Sequence, residues 1–268
     1  MWSTGSITIM NLNEITKLIQ KNISVVPKAG IILGSGLGGF TEQLTDSVSI
    51  DYAEIPDYPQ STVLGHAGKF ITGNIGELPV ICARGRFHYY EGHDINTVTL
   101  PVDIFYQLGC DMVIVTNAAG CVRTDWNPGE LMLITNCIDF TFRNNSEPII
   151  INNNSIDDRM NTIALDISKE NGITLHSGTY AWTLGPSYET PAEVQVIKEY
   201  GGDAVGMSTM PEIEKAESCG MRVIGISCLS NYAAGITLQP LTHKEVLEVV
   251  DSSKKSFTIL VNGILKNF

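Results

Sequence analysis

The chain lacks any apolar run approaching the roughly 20 residues that a membrane-spanning helix needs. Its first residues, Met1-Trp2-Ser3-Thr4-Gly5-Ser6, lack the basic flank and apolar centre of a signal peptide. Basic residues are scarce: 17 Lys and Arg stand against 29 Asp and Glu, a net charge of −12. Nucleic acid and anionic membrane surfaces both require a basic face, so neither is expected as a partner. A small anionic substrate stays compatible with this balance, because a few local donors can hold it. None of the six cysteines (Cys82, Cys110, Cys121, Cys137, Cys219, Cys228) forms a C-x-x-C pair, and most sit in or beside apolar runs. Buried free thiols, a reducing cytoplasm and no structural metal are therefore expected. What is present is ordinary globular composition, 43% hydrophobic and 17% charged over 268 residues. One domain over 1–268 is expected.

Short apolar runs alternate with helical spacing. Ala29 to Leu33, Lys69 to Ile75, Leu78 to Ala83, Asp111 to Thr116, Leu131 to Ile138, Ser177 to Leu184, Asp203 to Gly206 and Met221 to Leu229 read as strands. Asn96–Leu108, Asp157–Glu170, Pro191–Tyr200 and Pro211–Cys219 read as helices, and Thr242 with Glu245 reads as a capping box for a last helix. The polar stretch Arg143 to Asp158 reads as a surface loop. This alternation predicts an α/β fold with ligands near the C-terminal ends of strands.

Gly34-Ser35-Gly36-Leu37-Gly38-Gly39 follows a strand and satisfies G-x-G-x-x-G, with Asp51 about where a ribose-binding acid would lie. A dinucleotide site is one reading. A site for a small free anion is another, because glycines bare backbone N–H groups and Ser35 adds a hydroxyl. A plain turn is the third. The dinucleotide reading is weakened by Thr45 and Asp46, which leave little room for a crossover helix.

Four further clusters carry chemistry. Arg86, His88 and Tyr90 alternate after a strand, where a guanidinium, an imidazole and a phenol on one side suit an oxyanion beside a sugar hydroxyl. An ordinary hydrogen-bonded strand end is the competing reading. Tyr188 offers a stacking face and Glu189 an acceptor for ring N–H groups, although Glu189 near a helix start also suits the helix dipole. Met207 can pack flat on a sugar or base, and Ser208 at a helix start can hold an anion; a core methionine and a capping serine are the alternatives. Asn231 both donates and accepts, as a purine edge requires, or is simply a turn residue. His66 and His243 are loop and surface histidines by themselves, and His93 and His176 read as surface residues.

Taken in order, Gly34-Ser35-Gly36-Leu37-Gly38, Gly65-His66-Ala67-Gly68, Gly85-Arg86-Phe87-His88, Tyr90-Glu91-Gly92, Thr116-Asn117-Ala118-Ala119-Gly120, Gly185-Pro186-Ser187-Tyr188-Glu189-Thr190 and Val205-Gly206-Met207-Ser208-Thr209 resemble the trimeric, low-molecular-mass purine nucleoside phosphorylases. The resemblance runs from about Val26 to Val250. It implies a mixed, partly barrel-like central sheet flanked by helices, a homotrimer, and phosphorolysis of purine (deoxy)ribonucleosides to free base and pentose 1-phosphate. It implies a phosphate site at Ser35, Arg86, His88, Ala118, Ser208 and His66. The nucleoside site falls on Tyr90, Ala118, Tyr188, Glu189, Val205, Met207, Asn231 and His243. Asn231, Glu189, His88 and His243 take the catalytic roles. Phosphate is the co-substrate, and neither metal nor organic cofactor is implied.

Two departures from that pattern stand out. Tyr188 stands where the family usually has Phe. The run after Leu131–Ile138, usually like N-P-L-x-G-P-N-D, here reads Asn144 to Asn152 without it. In the family this run brings a neighbouring subunit's aromatic over the sugar, and Phe142 is the nearest candidate. Glu189 with Asn231 suits 6-oxopurines such as inosine and guanosine, whose N1 carries a proton; adenine would set acceptor against acceptor. A purine-binding protein without turnover is the remaining alternative, opposed by Arg86 and His88, which only phosphate handling requires.

Overall fold

The computed structural model describes residues 12–23, 25–60, 67–152, 158–237 and 243–268, with backbone only for 152 and 243–247. Its strands, in chain order, are β1 (Ala29–Ile32), β2 (Thr45–Asp51), β3 (Lys69–Ile75), β4 (Leu78–Arg84), β5 (Met112–Cys121), β6 (Leu131–Asp139), β7 (Ile149–Asn152), β8 (Leu175–Trp182), β9 (Ala204–Gly206) and β10 (Arg222–Tyr232). Its helices are α1 (Leu12–Asn22), α2 (Ile95–Leu108), α3 (Asp158–Glu170), α4 (Pro191–Glu199), α5 (Met210–Ser218) and α6 (His243–Lys266).

The pairings make one mixed sheet in two parts. β5 pairs β10, β10 pairs β6, β6 pairs β8, β8 pairs β9, and β9 returns to β5, so five strands close a ring. From β5 the sheet runs outward as an open wing through β1, β4, β3 and β2. Closure is possible because β5 is long enough to serve three neighbours (β1, β9 and β10) and β10 two (β5 and β6). The short β9 bridges the last gap through the register pairs Gly120–Val205 and Cys121–Ala204.

The apolar stripes explain the packing. Ile15 and Ile19 of α1, Phe105 of α2 and Ile213 of α5 bury against one face with Val113, Val115 and Val223. On the other face, Phe257, Leu260, Val261 and Ile264 of α6 and Met160 of α3 cover Ile114, Ile224 and Ile226. The α2 helix begins where the Asp94 carboxylate accepts from the Thr97 N–H at 2.8 Å, and ends at Gly109 with φ +95°. It lies so close to β1 that a Cβ on Gly30 would fall 2.1 Å from the Phe105 ring. All six cysteines are free; five are buried and Cys219 is half-buried. Burial pushes the Cys228 thiol up to about 11. Among the described residues no helix is long and apolar enough to cross a membrane.

Two expectations change. The stretch 143–158 is not wholly a surface loop. The β-branched run Ile149–Ile151 pairs antiparallel with Cys137–Asp139 of β6, an edge pairing that the flanking asparagines hide in the sequence. β5 runs to Cys121 rather than stopping at Thr116, because Asn117–Gly120 pairs with Ser227–Asn231 of β10. The Asn-Ala-Ala-Gly motif is therefore strand, not loop.

Candidate active site

The glycine-rich loop after β1 docks on β5. The Gly34 N–H donates to Thr116 Oγ1 at 3.1 Å, and that hydroxyl donates to the Ile32 carbonyl at 2.8 Å. A Cβ on Gly34 would lie 2.7 Å from Asn117 Cα, so only glycine allows this approach. Beyond the loop, Gly38–Gln43 forms a 3-10 turn and β2 follows at once. There is no crossover helix here for a pyrophosphate to rest on, which removes the structural basis of the dinucleotide reading. Ser35 thus sits in a loop anchored beside Thr116 and Asn117.

After β4 the chain turns inward. Arg86 is almost wholly buried, with Nε donating to Glu212 Oε1 at 2.7 Å and Nη1 to the Thr116 carbonyl at 2.8 Å and to Ser208 Oγ at 3.2 Å. His88 is also buried. Its backbone N–H donates to Glu91 Oε1 at 2.8 Å, and its Nδ1 lies 3.2 Å from the same oxygen. A 3-10 turn at Tyr89–Glu91 then folds the Tyr90 ring flat against the His88 ring, 4.7 Å apart and 20° from parallel. The three side chains therefore gather through a turn, not through simple strand alternation. Burial and the neighbouring Glu91 push the Tyr90 phenol up to about 12 despite the Arg86 charge, so it acts as a neutral hydroxyl.

The end of β9 and the turn after it pass Asn231, Tyr90 and Arg86. Val205 is buried beside Asn231: a Cβ on Gly120 would lie 3.3 Å from Asn231 Nδ2 and 3.4 Å from Val205 Cγ1. Met207 meets Tyr90 across Gly185, whose added Cβ would fall 2.5 Å from Met207 Sδ and 2.8 Å from Tyr90 Cδ1. Ser208 reaches Arg86. Val205, Met207 and Ser208 thus pass the Asn231 amide, the Tyr90 ring and the Arg86 guanidinium in order.

Glu189 is not the cap of α4. Thr190 and Glu193 fill that role, with the Thr190 N–H donating to Glu193 at 2.7 Å. Glu189 instead accepts from the Thr183 hydroxyl at 2.6 Å, and Thr183 is in turn fixed by its N–H on the Gly206 carbonyl at 2.9 Å. Burial pushes the Glu189 carboxyl above the ordinary glutamate value, partly offset by that hydroxyl. Asn231 lies where β10 bulges between Leu229 and Asn231. Its Oδ1 accepts from the Ser230 hydroxyl at 2.7 Å and its Nδ2 donates to the Tyr232 carbonyl at 2.9 Å, which orients the amide and leaves its second N–H to donate elsewhere.

Tyr188 lies near Tyr90 and Glu189, close enough to act on the Tyr90 phenol. Tyr188 is about half exposed. Phe142, at φ +55°, is also half exposed and packs edge-on against Phe140 at 5.0 Å. His66 lies outside the described residues, as does Thr242. His243 begins α6, with its side chain likewise outside. His176 is not a plain surface residue: its ring stacks on Trp126 at 4.2 Å, and Nε2 lies 2.7 Å from Glu130. His93 sets its ring edge-on to Phe87.

The sequence offered no sign of Thr183, which is one β-branched residue among others at a strand end. It did hold a sign of Glu212, since Thr209-Met210-Pro211-Glu212 is a capping-box spacing. Among the described residues no cluster of His, Cys, Asp and Glu is arranged to hold a metal ion.

Comparison with known proteins gives the chain a family. The family description "Phosphorylase superfamily" matches residues 28–266. The chain is 44% identical over 262 residues to purine nucleoside phosphorylase 1 of Bacillus subtilis, covering 93% of this chain and 96% of that protein. It superposes on a Schistosoma purine nucleoside phosphorylase solved with hypoxanthine, with a TM-score of 0.88, 31% identity and 98% of both chains covered. A Schistosoma mansoni structure with adenosine matches equally well, at a TM-score of 0.88, 32% identity and the same coverage.

Proposed function

The chain belongs to the phosphorylase superfamily, and from that premise we propose that it is a purine nucleoside phosphorylase, cleaving purine (deoxy)ribonucleosides with inorganic phosphate to free base and pentose 1-phosphate. The single observation that carries the reading is the course of Val205–Ser208. It runs from Asn231, past Gly185, which Met207 and Tyr90 both approach, to a buried Arg86 bonded to Ser208. Base, pentose and phosphate need binding groups in that order.

In this reading the C1′–N9 bond loosens first, and the sugar becomes cationic as the purine takes the electron pair. Asn231 donates to N7 of the departing base, and Glu189 accepts from N1–H and holds the ring in plane. Phosphate, gripped by Ser35, Arg86, His88, Ser208 and the backbone at Ala118, forms the new O–C1′ bond. Donors aimed at charge that grows in the transition state lower the barrier more than those that bind the ground state. Tyr90, Met207 and His243 contact the sugar, Tyr188 and Val205 flank the base, and His66 reaches the phosphate. Phosphate is the co-substrate; no metal and no organic cofactor enters the scheme.

The carboxylate of Glu189 favours 6-oxopurines, because an unprotonated N1 opposite it leaves two buried acceptors unpaired, costing about 1–3 kcal/mol. Since the S. mansoni relative was solved with adenosine, the preference is stated for turnover, as kcat/KM for inosine and guanosine over adenosine.

We read the protein as one domain over 1–268, a homotrimer, acting in the cytoplasm in purine salvage. The trimer rests on the resemblance to trimeric relatives and on the exposed apolar residues Phe142, Ile149 and Ile150 near one sheet edge. Phe142 is the candidate to close a neighbour's sugar site. Light scattering that returns a single chain mass contradicts the trimer. The function itself is tested by incubating the protein with inosine, with and without phosphate. Hypoxanthine should form only when phosphate is present; hypoxanthine formed equally in both, or in neither, refutes the assignment.

A further inference from the structure

We propose that Glu212 is a positioning residue for the phosphate half of this site, setting the Arg86 guanidinium and the Ser208 hydroxyl in register. The inference rests on the phosphorolytic reading above. Glu212 lies in the first turn of α5 and is fully buried. Its two oxygens serve two segments far apart in sequence: Oε1 accepts from Arg86 Nε at 2.7 Å, and Oε2 accepts from the Thr209 N–H at 2.8 Å. Thr209 stands at φ +78°, ψ −53°, a conformation that a β-branched residue avoids and that persists only when its surroundings hold it. The holding groups are Glu212 at its N–H and Asn117, whose Nδ2 donates to Thr209 Oγ1 at 2.9 Å. Ser208 is the next residue, and its hydroxyl oxygen accepts from Arg86 at 3.2 Å. One carboxylate therefore fixes both the cation and the turn that carries the serine.

Charge alone and positioning predict opposite outcomes. A carboxylate beside an anion-binding guanidinium weakens its pull on phosphate, so if charge were all that mattered, removing it would tighten phosphate binding. If Glu212 holds the geometry, removing it loosens phosphate binding and leaves the distant nucleoside contacts intact.

The test is inosine phosphorolysis by Glu212→Gln and Glu212→Asp with each substrate varied, together with the Tm rise that inorganic phosphate alone produces in each protein. In Glu212→Gln the phosphate KM should rise about tenfold or more, the loss of one hydrogen bond to a charged group. The inosine KM should change less than about threefold, within the scatter of an uncoupled site. Glu212→Asp keeps the charge but cannot span both partners, so its phosphate KM should lie between. The phosphate-induced Tm rise should shrink in the same order. A folded Glu212→Gln with an unchanged or lower phosphate KM overturns the proposal, as does an equal rise in both KM values. If Glu212→Gln does not fold, Glu212→Asp decides by the same two criteria. If wild-type protein releases no hypoxanthine, the proposed function fails by itself. The coupling is then judged from the phosphate-induced Tm rise alone, and equal rises in wild type and variants overturn it.

Discussion

The two ends of the site are built differently. At the end assigned to phosphate, Arg86, Ser208, Thr209 and Glu212 are all buried and tied to one another before any ligand arrives. At the end assigned to the nucleoside, Tyr188 is about half exposed, and Glu189 is held by one hydroxyl. A small, strongly hydrated anion gives up its water only to donors already in place, so the structure there must be rigid. A purine is a flat apolar body with a polar edge. Stacking area tolerates small displacements, so its side chains can settle on the ligand.

Breaking the rigid end should cost most. Arg86→Ala removes the cation and strands the Glu212 carboxylate in the interior, a loss of about 3–5 kcal/mol of folding stability. A large fall in Tm with phosphate-dependent turnover abolished is the expected result, read by calorimetry and by hypoxanthine release; a Tm within about 2 °C of wild type contradicts the buried pair, given how ~1 kcal/mol converts to Tm for a domain of this size.

Asn231→Ala comes next. It removes one donor from the leaving base and should lower kcat by roughly a hundredfold or more. Stability should change little, because the residue is only half-buried at a strand end. Turnover near wild type would mean that another group takes the purine's charge.

Thr183→Val sharpens the comparison at the open end. The lost hydrogen bond should lower kcat/KM for inosine by about 5–10-fold, since ~1–1.5 kcal/mol is its expected worth. The hydroxyl stabilises the ionised carboxylate, so its loss raises the Glu189 pKa further above the ordinary glutamate value. Because N1–H recognition needs the ionised form, activity should fall off at a higher pH as the solution is acidified. An acid limb that stays put or moves down refutes this role.

The smallest effect is expected for Tyr188→Phe. It keeps the stacking face and should change kcat/KM by less than about threefold, since an exposed hydroxyl contributes little. A tenfold loss would show that the phenol hydrogen-bonds to the substrate.

Much of the fold was readable because its cause is local. Leu78–Arg84 and Lys69–Ile75 are apolar runs around Gly76-Glu77, and they pair as a hairpin. The helix expected over Pro191–Tyr200 is α4, and the proline at its first position is the local cause. The end of β5 was not readable, since Asn117-Ala-Ala-Gly120 has no strand propensity and becomes strand only because β10 and β9 lie beside it. Ile149–Ile151 fails for the opposite reason: a genuine strand signal is too short to stand out among asparagines, and β6 decides it.

The site divides along the same line. Which residue types could serve an oxyanion and a heterocycle edge was determined by the chain itself, because guanidinium, hydroxyl, carboxylate and amide chemistry travels with the residue: Arg86, Ser208, Glu189 and Asn231 were legible in that sense. Which carboxylate steadies Arg86, that Thr183 holds Glu189, and that Tyr90 and Met207 both approach Gly185 were decided only by the tertiary structure. Those contacts join residues up to 126 positions apart, and no local pattern encodes a distance that exists only once the strand ring has closed.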